Sequence, residues 1–310
     1  MIMRNDIYYP SVDGETTIHA VEWVPEGDPV AVLQLVHGMT EFVGRYDEFA
    51  AYLADKGFYV VGNDHLGHGE SIKDESCYGF FREKNGNRAL LEDIETLREM
   101  TVEKYPDVPY FLLGHSMGSF LARQYVARHG DKLAGAVIMG TGTTPEATLK
   151  TGRALCRMIA AVKGWKYRSK LVYGIVSNGN NKRIPDAKTP AEWLSKNEEN
   201  KAAYLADPRC TFRFTLNGYY NMFYSISDCQ SKATAARIPK ELPMLLVSGA
   251  EDPIGQYGKG VEHAYKLYSK AGIKDLKMKL YEGDRHEILN ELDRDKVYDD
   301  LYAWFQEHMK

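Results

Sequence analysis

Tyr110-Phe111-Leu112-Leu113-Gly114-His115-Ser116-Met117-Gly118 decides how the rest of this chain is read. Four residues of strand character run into a serine framed by glycines, and a helical pattern carrying Phe120, Leu121, Tyr125 and Val126 begins at once. A strand that turns sharply into a helix holds its turn residue in a strained conformation. Small residues are then required two places before and after it, which accounts for Gly114 and Gly118. The same geometry pushes the Ser116 hydroxyl out of the fold, where it can act as a nucleophile.

Outward from this turn, short apolar runs alternate with helical patterns. Runs at 31–36, 58–61, 110–113 and 133–139 are separated by helix candidates at 46–56 and 87–104. The second of these sets Leu90, Leu91, Ile94 and Leu97 on one face, with Asn87 as its expected N-cap. His129-Gly130 is expected to stop the helix after Ser116 through a left-handed glycine. Residues 17–24 alternate in polarity behind the turn signal Asp13-Gly14, as an antiparallel edge hairpin would. The alternation resumes at 244–247, followed by a helix at 260–270, an edge strand at 276–280 and a last helix. That last helix is read as a stripe of Ile288, Leu289, Leu292, Val297, Leu301, Trp304 and Phe305. This is the pattern of an α/β protein with a mostly parallel central sheet covered by helices on both faces.

The stretch from 141 to 237 has a different texture. It is rich in aromatic residues, Trp165, Trp193, Tyr204, Phe212, Phe214 and Tyr219 among them, yet no run in it resembles a central strand. The spacing predicts a mainly helical insertion over the C-terminal edge of the sheet, where open α/β folds bind ligands. Core boundaries of 1–140 and 238–310 follow. The overall charge of −4 conceals an asymmetry: 141–237 holds sixteen Lys and Arg against seven Asp and Glu, a net of +9, which leaves −13 elsewhere. Within it, 153–170 places Ala154, Leu155, Met158, Ile159, Val162 and Trp165 at helical spacing among Arg153, Arg157, Lys163 and Lys166. A basic amphipathic helix of this kind can rest on an anionic membrane, although the readier expectation is that its apolar face packs on the core as a lid.

Cys77, Cys156, Cys210 and Cys229 are scattered without a C-x-x-C pair or a nearby histidine cluster, so neither a disulfide framework nor a metal site is expected. The first residues lack a signal-peptide core, and 18 consecutive apolar residues occur nowhere. The expectation is a cytoplasmic protein without a nucleic-acid partner.

A serine hydroxyl needs a base, and the base needs an orienting group. In a fold of this kind the acid and then the histidine follow the serine, each on a loop at the C-terminal end of a strand. His263 falls inside a helix and His308 near the terminus, whereas His286 stands between the 276–280 strand and the last helix. His286 is therefore the expected base. Asp252, in Gly249-Ala250-Glu251-Asp252-Pro253, leaves the end of the 244–247 strand and is the preferred acid, with Glu251 open as an alternative and Asp284 a weaker one. Backbone N–H groups of Met117 and of Met39, in the loop after 31–36, are the expected oxyanion donors.

With these residues in hand, the chain resembles the α/β-hydrolase superfamily, and within it the monoglyceride lipase and lysophospholipase-like serine hydrolases. The resemblance rests on His37-Gly38-Met39-Thr40-Glu41 with Arg45-Tyr46, on Asn63-Asp64-His65-Leu66-Gly67-His68-Gly69-Glu70-Ser71, on the Ser116 pentapeptide, on the Asp252 loop and on His286-Glu287. It implies Ser116 as nucleophile, Asp252 as acid, His286 as base, Met39 and Met117 as oxyanion donors, no cofactor or metal, and a cap inserted at 141–237. Thr40, Phe42 and Leu66 depart from the family's usual glycine, histidine and arginine. The implied activity is hydrolysis of lipid-like carboxylic esters with an apolar acyl chain through an acyl-enzyme. The same triad also serves acyltransferases, peptidases and perhydrolases, and the fold can serve as a non-catalytic ligand receptor.

Overall fold

The computed structural model describes residues 2–309. Eight strands form one sheet: β1 (Met3–Pro10), β2 (Thr17–Val24), β3 (Ala31–Val36), β4 (Phe58–Asn63), β5 (Tyr110–His115), β6 (Gly135–Met139), β7 (Met244–Gly249) and β8 (Leu276–Tyr281). Their order is β1-β2-β4-β3-β5-β6-β7-β8. β1 and β2 form an antiparallel hairpin that joins antiparallel to β4, and every pairing from β4 to β8 is parallel. The apolar runs read from the sequence recur as β3 to β8. β1 had no such signal because nearly all its residues face solvent.

Alternation along the strands divides the apolar side chains between two layers. Leu33, Leu35, Phe111, Leu113, Val137 and Val247 meet α1 (Asp47–Asp55) and the last helix. Val32, Val36, Leu112, Ile138 and Leu246 meet α2 (Gly86–Lys104) and α3 (Met117–His129). The chain leaves β3 to build β4 on one side and later places β5 on the other. Loops at the C-terminal ends of β3 and β5 therefore diverge and leave a crevice between them, the place where open α/β sheets bind ligands.

Between β6 and β7 the described residues hold helices and no strand: α4 (Glu146–Lys163), α5 (Lys170–Ser177), α6 (Glu198–Ala206), α7 (Pro208–Thr211), α8 (Leu216–Cys229) and α9 (Lys232–Arg237). α8 is the buried one, packed on α3 and α4. The crossing of α4 and α8 is close, since a Cβ on Gly152 would lie 2.8 Å from the Phe223 ring. After β7 come α10 (Lys259–Ala271), β8 and α11 (Arg294–His308), which buries Val297, Leu301, Trp304 and Phe305.

Four local expectations need correction. Asn87 does not cap α2, because the helix begins after Asn85, which sits at φ 57°. Asn87 is instead buried, with its N–H donating to Asn221 Oδ1 at 2.9 Å and its Nδ2 to Gln124 Oε1 at 2.9 Å, so it ties three helices together. Gly130 follows α3 at φ −64°, and the chain tightens into a short 3-10 turn there rather than reversing through a left-handed residue. Ile288, Leu289 and Leu292 all precede α11: the first two are buried on a short 3-10 turn, and Leu292 is 70% exposed. The helix read at 153–170 is broken by Gly164 at φ 81°, and its two halves fall on α4 and the turn before α5. All four cysteines are unpaired, and no described helix is long and apolar enough to cross a membrane.

Candidate active site

Ser116 sits at φ 54° and ψ −119°, a conformation that costs a residue with a side chain roughly 1–3 kcal/mol. The surroundings over-determine it. Its N–H donates to Met139 O at 3.0 Å, and its carbonyl accepts the Ser119 N–H at 2.9 Å and the Ser119 hydroxyl at 2.6 Å. The flanking glycines are required by close approach. A Cβ on Gly114 would lie 2.4 Å from Gly118 O, and one on Gly118 would lie 2.0 Å from Val36 O. The turn is thus pressed against the end of β3, with Ser116 half-buried at the crevice.

Asp252 is fully buried and its carboxylate has a complete set of donors. Oδ1 accepts the Ile254 N–H at 2.8 Å, while Oδ2 accepts the Ser248 hydroxyl at 3.0 Å and faces His286 Nδ1 at 2.9 Å. An ionised carboxylate there makes Nδ1 the protonated nitrogen and leaves Nε2 as the basic one. Nε2 is buried and has no hydrogen-bond partner among the described residues. The loops after β7 and β8 are clamped to bring the pair together. Ala250 N–H donates to Tyr281 O at 2.8 Å, Glu251 N–H donates to Asp284 O at 2.9 Å, and a Cβ on Gly249 would lie 2.1 Å from Arg285 O. Ring centroids of His286 lie 4.8 Å from His115 and 4.9 Å from Trp193. Because His115 immediately precedes Ser116, the imidazole stands over the end of β5. No hydrogen bond closes between Ser116 Oγ and Nε2, an interval that commonly tightens when substrate arrives.

The alternatives separate cleanly. Glu251 points into solvent, where its carboxylate pairs with Lys196 Nζ at 3.1 Å. Burial, reinforced by the Asp293 and Glu291 charges, pushes the Asp284 carboxyl up to about 7. His263 is exposed on α10, and His308 binds Trp304 O and Asp275 near the end of α11.

Met117 opens α3, so its N–H is one of those a helix leaves without an internal acceptor. The Met39 N–H is likewise without an acceptor among the described residues. Gly38, the residue before Met39, lies against the serine: a Cβ on Gly38 would lie 2.9 Å from Ser116 Cβ. Three histidines brace this loop from behind. His37 Nε2 accepts the His65 N–H at 3.0 Å, and burial drives His37 well below the ordinary imidazole range, His65 to about 4 and His68 to about 3. They are neutral packing groups, and no described cluster could hold a metal.

Sequence reasoning assigned no role to the charged network beneath the serine. Glu41 Oε1 accepts the Gly38 N–H and the Tyr46 hydroxyl and faces His115 Nδ1 at 3.0 Å. Arg45 joins Glu41 at 3.2 Å and grips Glu287 with both ends of its guanidinium, at 2.6 and 2.8 Å. Burial alone would neutralise these groups, but the mutual charges win. Glu287 is held down to about 2, chiefly by Arg45 after burial is overcome, and Glu41 keeps the buried His115 imidazole above its usual range. The available signal was that Glu41, Arg45 and Glu287 stand inside the motifs that carry the family resemblance.

Residues 27–293 match the Hydrolase_4 family, described as serine aminopeptidase, S33. The chain belongs to this family and is a serine hydrolase with the α/β-hydrolase fold. It is 28% identical to the monoacylglycerol lipase of Mycolicibacterium smegmatis over 99% of this chain and 98% of that one. It is also 28% identical to the monoglyceride lipase of Mus musculus, over 91% and 84% respectively. Among solved structures, a thermostable carboxyl esterase from Bacillus coagulans in complex with glycerol superposes with a TM-score of 0.91 at 29% identity, covering both chains completely.

Proposed function

We propose that this chain hydrolyses lipid-like carboxylic esters of the monoacylglycerol or lysophospholipid type through an acyl-enzyme on Ser116. The observation that carries the reading is His286, whose Nδ1 is committed to Asp252 while its buried Nε2 is free to serve the nucleophile. As Ser116 Oγ attacks the ester carbonyl, His286 Nε2 takes its proton, and the Met39 and Met117 N–H groups receive the oxyanion. Collapse of the tetrahedral intermediate breaks the bond to the alcohol, which leaves with the proton from His286. Water then enters, loses a proton to Nε2 and releases the fatty acid, restoring Ser116. Asp252 keeps the tautomer correct at each step and stays ionised.

Residues 141–237 act as the cap over this centre and shape the acyl site. The likeness to a carboxyl esterase and to monoacylglycerol lipases over nearly the full chain supports an ester with an apolar acyl part. Contact with an anionic lipid surface is a further part of the proposal. α4 buries Leu149, Cys156 and Ala160 and turns Met158 and Val162 outward, the latter 81% exposed, and Leu171 and Ile175 of α5 are also exposed. Lys163, Lys166 and Lys170 stand exposed among them. Four unpaired cysteines are consistent with a reducing compartment such as the cytoplasm.

Fluorophosphonate labelling with peptide mapping tests the chemistry: modification at Ser116 that disappears in Ser116→Ala is expected, and labelling elsewhere would overturn it. A panel of monoacylglycerols, lysophospholipids and aminoacyl amides tests the bond. Faster turnover of the amides would replace the esterase reading with a peptidase one. Co-sedimentation with anionic vesicles should weaken in a Met158→Glu, Val162→Glu double variant; equal binding by both proteins would remove the membrane contact.

A further inference from the structure

Thr40 occupies φ 53°, a left-handed conformation that a β-branched residue adopts only under constraint. Its side chain supplies the constraint. The Thr40 hydroxyl donates to Met39 O at 2.7 Å and lies 2.8 Å from the Tyr204 hydroxyl. A hydroxyl has one hydrogen to give, so the Tyr204 O–H must be the donor in the second contact. Tyr204 lies on α6, far from β3 in the sequence, and is itself held in place. The Arg45 guanidinium sits 5.0 Å from the centre of its ring. One turn earlier on α6, Asn200 Oδ1 accepts from Arg45 at 2.9 Å and Asn200 Nδ2 donates to Glu287 at 2.7 Å.

Met39 is thereby gripped from both sides. Before it, the Gly38 N–H is tied to Glu41, which belongs to the same buried network as Arg45. After it, Thr40 is tied to Tyr204. The Met39 N–H shares its peptide plane with the Gly38 carbonyl, which faces His37 Nδ1 at 2.8 Å, while Thr40 fixes the next plane through Met39 O. With both planes held the Met39 torsions are set, and an oxyanion donor is effective only when aimed before charge develops. We infer that Tyr204, acting through Thr40, is a positioning residue that aims the Met39 N–H, so that oxyanion stabilisation depends on α6 being docked on the core. This rests on the proposed role of Met39 as an oxyanion donor.

Steady-state kinetics of Tyr204→Phe on a monoacylglycerol test it, because that change removes one oxygen and leaves the ring over Arg45. The expected result is a fall in kcat of about tenfold with KM within about twofold, and an equal loss of affinity for a boronic acid transition-state analogue. Thr40→Gly relaxes the backbone and deletes the receiving hydroxyl, so Tyr204→Phe should add nothing in that background. An unchanged kcat in Tyr204→Phe, a loss confined to KM, or a full tenfold effect persisting in Thr40→Gly would each overturn the inference. Full retention of activity in Ser116→Ala would instead sink the underlying esterase reading.

Discussion

The Asp252 carboxylate on the loop after β7 and the Met39 loop after β3 each carry part of the same candidate chemistry, but their side-chain partners lie at different distances along the chain. The carboxylate of Asp252 finds two of its three partners within four residues, in Ser248 and Ile254, and the third is the histidine it serves. The Met39 loop draws on its own Arg45 and on His115, Glu287 and Tyr204, which come from three distant parts of the chain. A locally satisfied site tolerates changes elsewhere in the molecule. A site assembled from distant parts transmits them.

Asp252→Asn should have the largest effect on this contrast. It keeps the shape but favours the wrong tautomer of His286, and a fall in kcat on the order of 10⁴-fold is expected from steady-state kinetics. Glu251→Gln, one residue away, should change kcat less than about twofold, because its exposed carboxylate pairs with Lys196 and not with His286. Comparable losses in the two variants would break the local reading of the acid loop.

On the other loop, Gly38→Ala forces a Cβ to within 2.5 Å of Glu41 Oε1 and 2.9 Å of Ser116 Cβ. The displaced loop should lose one oxyanion donor, lowering kcat by about 10²- to 10³-fold. Glu41→Gln strips the compensating charge from His115 and Arg45, both buried, and should cost about 3 kcal/mol in denaturant unfolding. A cost under about 1 kcal/mol would show that the network is not what holds this loop.

The smallest effects concern pH, and the first lies away from both loops. Burial pushes the Asp93 carboxyl up to about 7 although the Val12 N–H and Ser11 hydroxyl bind it. The native state then holds a proton that the unfolded state has released, so stability falls as pH rises from about 4 towards 7. Asp93→Asn should flatten the melting temperature across that interval. Glu287 works in the other direction: held down to about 2, it contributes stability above its unfolded value that is lost as pH drops from 4.5 towards 2.

Most of the sheet was legible because its information is local and redundant. A strand buried on both faces must be a continuous apolar run, and 31–36 or 244–247 could hardly be anything else. The polar edge strand β1 carried no such signal, since pairing with β2 rather than burial defines it. Helix ends were misread where tertiary contacts outbid local ones, as at Asn87, whose side chain serves Gln124 rather than capping α2. Of the candidate site, the serine turn, the acid loop and the histidine are expected from order and strand ends, and the structure brings Asp252 and His286 to 2.9 Å. Glu287 and Tyr204 are not readable in that way, because their meaning depends on which distant groups they meet.

By itself the sequence determined a glycine-framed serine between strand and helix, an acid and a histidine following it in order, and a basic, aromatic helical segment between two strands. These are short-range properties: apolar periodicity, backbone sterics and spacing survive in one dimension. The tertiary structure decided which carboxylate orients His286, sending Asp252 inward and Glu251 to solvent. It also decided that the Met39 loop hangs from charges and hydroxyls far away in the chain, because buried ionic partners are chosen by proximity in space, which the order of residues does not record.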